Sequence, residues 1–382
     1  MRIFFITHTY SLNPPHGGGS EVFVSNLLKE LSQQGHELFV FTTKGRSYSV
    51  EEKKFNIKVF HCGGWGHHAL YKFQYLLFAK KAVQLAKEFN ADIVHSHNSA
   101  FPALIGEKVS KQLKIPHVMF IEIISEKNHS LHMKAVYAFE KHFIPKIKAD
   151  KIISMGQYVV DKFLIPWGLP REKIMVIPTA VDTEKFNPAI SGKEIQNEFG
   201  KSLIISIKPL HATNAKGISY IIQAMKKVVE AHLDWKYIVF GKGMALPKLQ
   251  ALVQELKLEQ NVIFPERIFP YNQTPQVYAA ASILPHSFVY EATASMSLLD
   301  SMAMGKAIVV SDIGEIKNVV KDSAVLVKPM DGDSFANGLL KLIENPALRK
   351  KLGKKARALA VKNHAIKSIA KKFTSIYTEL KR

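Results

Sequence analysis

Short apolar runs and helix-period stretches alternate along almost the whole chain. Ile3–Thr7, Glu37–Thr42, Ile57–His61, Asp92–His95, His117–Ile121, Lys151–Ser154 and Ile174–Ile177 have the length and the β-branched or aromatic content of strands. Helical patterns lie between several of them, at Ser20–Gln34, Leu70–Phe89 and Ala100–Leu113. Pro178 to Gly200, with its prolines, Gly192 and mixed charge, reads as a linker between domains. The alternation then restarts. Strands are expected at Leu203–Ile207, Tyr237–Phe240, Val262–Phe264, Ile283–Leu284, Ala307–Val310 and Ala324–Val327. Helices are expected near Gly217–Ala231, Leu246–Lys257, Thr274–Ala281, Ser295–Met304, Glu315–Val320 and Ser334–Glu344, and two more, Pro346–Lys362 and His364–Leu380, close the chain. Strands separated by helices imply parallel, doubly wound sheets. The pattern therefore predicts an α/β protein with two Rossmann-like domains, whose ligands lie beyond the carboxyl ends of the strands in a cleft between facing sheets.

Composition adds limits. A chain of 382 residues has a natural prior of two domains. Its single cysteine, Cys62, allows no internal disulfide and suits a reducing compartment. No apolar run is long enough to span a bilayer, and Met1-Arg-Ile-Phe-Phe-Ile reads as a first buried strand, not a signal peptide. The net charge of +20 favours anionic partners. The basic run from Arg349 to Arg357 reads as a solvated helix face. Ile123–Lys148 mixes aromatics with lysines, as a packed helix or a membrane-surface helix would. Specific nucleic-acid binding is not expected, because the basic residues lack interleaved aromatic stacking positions.

Candidate chemistry sits at strand ends. His16-Gly17-Gly18-Gly19-Ser20-Glu21 follows the first strand and opens a helix, with Ser20 as the expected cap. Lys208 ends the first strand of the second half, and Lys216-Gly217 is expected to open the next helix. Together the two lysines could neutralise a diphosphate. Gly241-Lys242-Gly243 suits close backbone approach or a plain tight turn. Glu291 and Asp300 are acids near one helix N-terminus, beside Ser295 and Met296. Acids and bare amides together suit a ligand carrying both hydroxyls and phosphates, as a sugar nucleotide does. His95-Ser96-His97 places two imidazoles on one side of a strand, but no further ligand is spaced for zinc. Asp331-Gly332-Asp333 reads as a turn and helix cap, not a metal motif.

Taken in order, these pieces resemble the family-4 retaining glycosyltransferases of the GT-B fold. The carriers are Gly17–Glu21, Gly35-His36-Glu37, Asp92–His97, Ile177–Phe186, Lys216-Gly217, Phe240–Gly243 and Glu291 through Val309. The resemblance implies an acceptor domain at 1–180, a nucleotide-sugar donor domain at 181–361, and a final helix, 362–382, returning to the first. It implies that Lys208 and Lys216 are the paired phosphate ligands and that Glu291 contacts the donor sugar. Backbone at Ser295 and Met296 would cradle phosphates, and Asp300 would bind ribose. Gly17, Gly18 and Gly241 would adjoin the donor. Four departures stand out. Thr179-Ala180 replaces the usual Asn-Gly, and Asp300 replaces glutamate. The Glu291-to-Asp300 interval is one residue longer. Glu122 stands where a histidine commonly contacts the transferring sugar, and ionised glutamate can accept hydrogen bonds there but not donate them.

The implied function is a retaining hexosyltransferase that needs no cofactor or metal. It would move a sugar from a nucleotide-diphosphate sugar to a glycan, lipid-linked or small-molecule acceptor, in glycan or cell-envelope biosynthesis. The expected location is the cytoplasm, with peripheral contact at an anionic membrane on its cytoplasmic face. A non-catalytic nucleotide-sugar-binding subunit and a nucleotide-sugar epimerase on the same fold stay open as alternatives.

Overall fold

The computed structural model describes residues 1–8, 10, 18–43, 47–52, 55–62, 71–97, 100–122, 131–290 and 293–381. The chain divides into two units: Met1–Thr179 with Ile366–Arg382, and Ala180–Ala365.

The first unit is built on an eight-stranded sheet. Its strands are β1 (Arg2–Thr7), β2 (Glu37–Thr42), β3 (Ser47–Glu52), β4 (Ile57–Cys62), β5 (Ile93–His97), β6 (His117–Ile121), β7 (Lys151–Ser154) and β8 (Ile174–Val176), in spatial order β3-β4-β2-β1-β5-β6-β7-β8. All neighbours pair in parallel except β3, which runs antiparallel to β4 and was not expected from the sequence. The unit's helices are α1 (Gly19–Gln33), α2 (Tyr71–Glu88), α3 (Ala100–Leu113), α4 (Leu131–Phe143), the short α5 (Gln157–Val159) and, far along the chain, α14 (Ile366–Lys381).

Alternation sorts the strand side chains onto two faces. Phe4, Ile6, Phe41 and Val94 turn toward Phe78 and Ala82 of α2 and Phe101 and Ile105 of α3. Phe5, His95, His97 and Phe120 turn the other way, against Phe23 of α1 and Phe373 and Tyr377 of α14. Fully burying each Phe contributes roughly 1.5–3 kcal/mol. Polar contacts help fix α14: His36 Nε2 and Thr374 Oγ1 lie 2.9 Å apart, and Thr374 Oγ1 donates to Gln34 Oε1 at 2.8 Å.

The second unit is an all-parallel sheet of six strands. These are β9 (Leu203–Ile207), β10 (Lys236–Phe240), β11 (Val262–Ile263), β12 (Ile283–His286), β13 (Ala307–Ser311) and β14 (Val325–Val327), ordered β11-β10-β9-β12-β13-β14. Its helices are α6 (Lys193–Phe199), α7 (Ala212–Ala231), α8 (Leu246–Glu255), α9 (Thr274–Ala280), α10 (Met296–Ala303), α11 (Ile316–Val320), α12 (Gly332–Ile343) and α13 (Pro346–His364). Ile204, Tyr237, Val239 and Val309 pack in one core with α7, α8 and α12. Ile205, Ile238, Phe240 and Ile308 pack in the other, with α6, α9 and α10.

Two expectations need correcting here. Pro178–Gly200 is not a free linker. Ile195 and Phe199, one helical turn apart, bury α6 in the second unit's core together with Phe186, and a side chain at Gly192 would strike the Ala279–Ala280 backbone. The basic run is not simply a solvated face either. Arg349 donates to the carbonyls of Leu342 and Ile343 at the end of α12, while Arg357 donates to those of Phe186, Ala303 and Thr183. Two of its arginines thus satisfy helix-end and loop carbonyls that would otherwise lack partners. Asp331 caps α12, its side chain accepting from the Ser334 N–H at 2.9 Å, as expected.

Candidate active site

Polar residues gather at the carboxyl ends of the strands in each unit, where open parallel sheets place their ligands. In the first unit, β5 delivers His97 and β6 delivers Glu122. His97 is fully buried, with its ring nearly parallel to Phe120 at 4.5 Å. Glu122 is buried as well. Its Oε2 lies 3.4 Å from His97 Nε2, too poorly aligned for a formed hydrogen bond, and accepts a hydrogen bond from Ser20 Oγ. Ser20 is therefore not the cap of α1. Gly18 occupies that position without a side-chain hydrogen bond, and Ser20, one residue inside the helix, donates across to Glu122. A hydroxyl can cap its own helix or reach a buried carboxylate, and the charge-assisted bond is the stronger. Among the described residues, nothing lies within 4 Å of where a side chain at Gly18 would begin. Gly17 lies outside the described residues.

His95 and His97 do share a side of β5, but their surroundings are a packed core. His95 Nδ1 meets Tyr377 Oη at 2.6 Å, and burial holds the His95 imidazole well below its ordinary pKa. Ser96 points to the other face, where its Oγ is 2.8 Å from His117 Nε2. Burial lowers the pKa of His117 to about 4.

In the second unit, Lys208 follows β9 directly. Its Nζ lies 5.1 Å from the centre of the Phe288 ring, and burial drops its pKa to about 8. The desolvated ammonium is thus poised to gain an anionic partner. Gly241 and Gly243 explain how the Lys208 loop is held. Both have positive φ, and a side chain on either would strike the carbonyl oxygen of Lys208 or Leu210. The close approach foreseen for this turn is to the protein's own backbone: Leu210 N–H donates to the Lys242 carbonyl at 2.9 Å. Lys216 does not open its helix. The helix α7 begins at Ala212, so Lys216 is its fifth residue and is exposed. Gly217 beside it packs against Ser287, whose carbonyl oxygen a side chain would meet at 2.5 Å.

Helix α10 starts at Met296 with Ser295 as its cap, the Ser295 hydroxyl accepting from Leu298 N–H. Asp300 follows one turn in and is buried. Tyr271 Oη donates to its Oδ1 at 3.1 Å. Burial pushes the Asp300 carboxyl well above the carboxylate range, while the Tyr271 hydroxyl and the Lys185 ammonium pull it back. Behind α10, His286 Nε2 lies 2.9 Å from Ser301 Oγ, tying the helix to the end of β12. Glu291 lies outside the described residues. Tyr271 and Lys185 were missed from the sequence, because 29 residues separate Tyr271 from Asp300 and no local spacing joins them. Among the described residues, no three His, Cys, Asp or Glu side chains converge to hold a metal.

Two family models match the chain, "Glycosyltransferase Family 4" over residues 17–185 and "Glycosyl transferases group 1" over 193–359. The chain belongs to the family-4, group 1 glycosyltransferases, and its fold is GT-B. Among characterised relatives, it is 25% identical to an alpha-monoglucosyldiacylglycerol synthase of Streptococcus pneumoniae, over 84% of this chain and 74% of the relative. It is 23% identical to the N-acetyl-alpha-D-glucosaminyl L-malate synthase of Bacillus anthracis, over 96% of each. Among solved structures, the sucrose-phosphate synthase of Thermosynechococcus elongatus superimposes with a TM-score of 0.83 at 17% identity, covering 99% of this chain and 98% of that one. HepE of Anabaena, solved in complex with UDP and glucose, gives 0.79 at 18% identity, covering 99% of each.

Proposed function

We propose that this glycosyltransferase is a retaining enzyme whose donor is a nucleotide-diphosphate sugar, bound by the Ala180–Ala365 unit. The observation that carries the reading is the grouping within that unit. A desolvated lysine at the end of β9, the helix start at Ser295–Met296 and a buried acid one turn further suit a diphosphate joined to a hydroxyl-bearing sugar. That HepE was solved with UDP and with UDP-glucose supports the same ligand class. Gly241 sets the Lys208 loop, Lys216 adds charge from α7, and Glu291 contacts the donor sugar.

In the reaction, an acceptor oxygen bonds to the anomeric carbon as the carbon–oxygen bond to the diphosphate breaks. The acceptor proton passes to the departing diphosphate oxygen, and attack from the face it vacates retains configuration. Lys208, Lys216 and the α10 amides stabilise the charge that builds on the leaving group. The first unit takes the acceptor, a glycan, a lipid or a small molecule. The pneumococcal relative, named for a glucosylated diacylglycerol, favours a lipid. Exposed Lys134 and Lys141 on α4 suit peripheral contact with an anionic membrane from the cytoplasm.

The test is diphosphate release from UDP-, GDP- and ADP-sugars in the presence of lipid and glycan acceptors. Turnover with the donor's anomeric configuration kept in the product supports the reading; inversion, or no binding of any sugar nucleotide, overturns it. A second reading, a binding subunit without turnover, is favoured by one observation, that Glu122 stands at the histidine position and is engaged by Ser20. Tight sugar-nucleotide binding with no transfer to any acceptor would select it.

A further inference from the structure

The donor-site reading leaves Tyr271 and Lys185 without a role, although both are built tightly around Asp300. The Tyr271 ring packs on Phe186, with centroids 5.2 Å apart, and carries the Lys185 ammonium 4.4 Å from its centre. Thr274 Oγ1 donates to the Tyr271 carbonyl at 2.9 Å and so fixes its backbone. Packing, a cation–π contact and a backbone hydrogen bond therefore aim one hydroxyl at one carboxylate oxygen. Asp300 is only 3% exposed, and Oδ1 is the oxygen that Tyr271 holds. Oδ2 makes no hydrogen bond to a described residue, yet it is not among the fully enclosed atoms that lack partners. One oxygen is committed and the other is left open.

The ribose contact that the family resemblance implies for Asp300 fits the place of that oxygen on the helix. Asp300 lies four residues beyond Met296, about 6 Å along the axis and on the same face. A ribose spans a comparable step between its 5′ phosphate and its 2′ and 3′ hydroxyls. A carboxylate oxygen accepts from hydroxyls and offers no donor of its own when ionised.

We propose that Tyr271 and Lys185 are positioning residues for ribose recognition: Lys185 and Phe186 clamp the Tyr271 ring, and Tyr271 occupies Asp300 Oδ1 so that Oδ2 faces the ribose hydroxyls of the nucleotide. The proposal rests on the donor-site reading and deepens it, by assigning residues that hold the nucleoside end whatever its base.

The experiment is calorimetric titration of UDP, GDP and ADP, then of the 2′-deoxy and 3′-deoxy forms of whichever binds, into the full-length protein and its Tyr271→Phe, Lys185→Gln and Asp300→Asn variants. Unmodified protein should prefer the ribonucleotide about tenfold or more, because a site built for a hydroxyl is left with an unpaired acceptor without it. Tyr271→Phe keeps the ring and its packing. It should cut the preference to about threefold or less, while affinity for the deoxynucleotides changes little; Lys185→Gln should cut it part-way. A merely structural role would weaken all nucleotides equally and leave the ratio intact. If Tyr271→Phe keeps the full preference while Asp300→Asn loses it, Asp300 reads ribose without Tyr271 and the proposal fails alone. If Asp300→Asn also keeps the preference, or no nucleoside diphosphate binds, the donor-site reading fails with it.

Discussion

Each unit of this protein has a buried carboxylate that accepts from a hydroxyl, Glu122 in the first and Asp300 in the second, and the two are built differently. Glu122 accepts from Ser20 and has an imidazole, His97, as its nearest basic neighbour; that ring is sealed among Phe5, Phe23 and Phe120. Asp300 accepts from Tyr271 and has an ammonium, Lys185, in its field, with Lys208 at the carboxyl end of β9 in the same unit. A hydroxyl orients the carboxylate in both cases. The cations differ. In the proposed function the second unit's lysines serve an anionic ligand, whereas the first unit presents the Glu122 carboxylate. The first arrangement suits a neutral, hydroxyl-bearing group and the second a phosphorylated one.

The largest expected effect tests the cationic side of this contrast. Lys208→Ala should lower kcat about 10²-fold or more, by removing charge stabilisation of the leaving diphosphate. Its signature is a fall in kcat and kcat/KM together, measured with whichever sugar nucleotide turns over. An unchanged kcat would remove Lys208 from the site.

Next come the buried imidazoles of the first unit, which predict acid sensitivity. The folded-state pKa of His117 is depressed from 6.5 to about 4. The unfolded chain therefore takes up its proton as pH falls through 6.5, while the folded chain resists until about 4. Stability is fully present above 6.5 and declines across that window, by roughly 3 kcal/mol from this group. His95 acts in the same direction. Denaturant titrations at pH 7.0 and 4.5 should show the loss, and His117→Gln should flatten it.

Glu140 on α4 has the opposite sign. Burial raises its pKa from 4.5 to about 8, so the stability tied to its neutral form is lost as pH rises through that range. Glu140→Gln should raise Tm at pH 8.5 and change it little at pH 4.5, read by thermal melts. The smallest effect should come from Ser20→Ala, about 1–3 kcal/mol in acceptor-side affinity and little in stability. If Ser20→Ala instead matches Glu122→Ala, the carboxylate has no function apart from its orientation.

Much of this was legible in the sequence because it is local. Periodicity located the strands of both sheets except β3, and Lys208, Ser295 and Asp300 stood out as candidates because they sit at strand and helix ends. What failed was non-local or chemically ambiguous. Ser20 looked like a cap because the sequence cannot show a carboxylate 102 residues away. The start of α7 was placed late because His211-Ala212-Thr213 carries no strong capping signal; His211 makes no side-chain cap. The strand β3 was overlooked because Ser47-Tyr-Ser-Val-Glu-Glu is a polar edge strand with little apolar content. Gly241 and Gly243 signalled a close approach correctly, but spacing could not say that the partner was the Lys208–Leu210 backbone.

The most direct test of the central claim, that the Ala180–Ala365 unit reads the nucleotide, is calorimetry of UDP, GDP and ADP against Lys208→Ala and Glu122→Gln. The account predicts that at least one of the three binds, that Lys208→Ala weakens it about tenfold or more, and that Glu122→Gln leaves it unchanged. Weakening by Glu122→Gln with no effect of Lys208→Ala would contradict it.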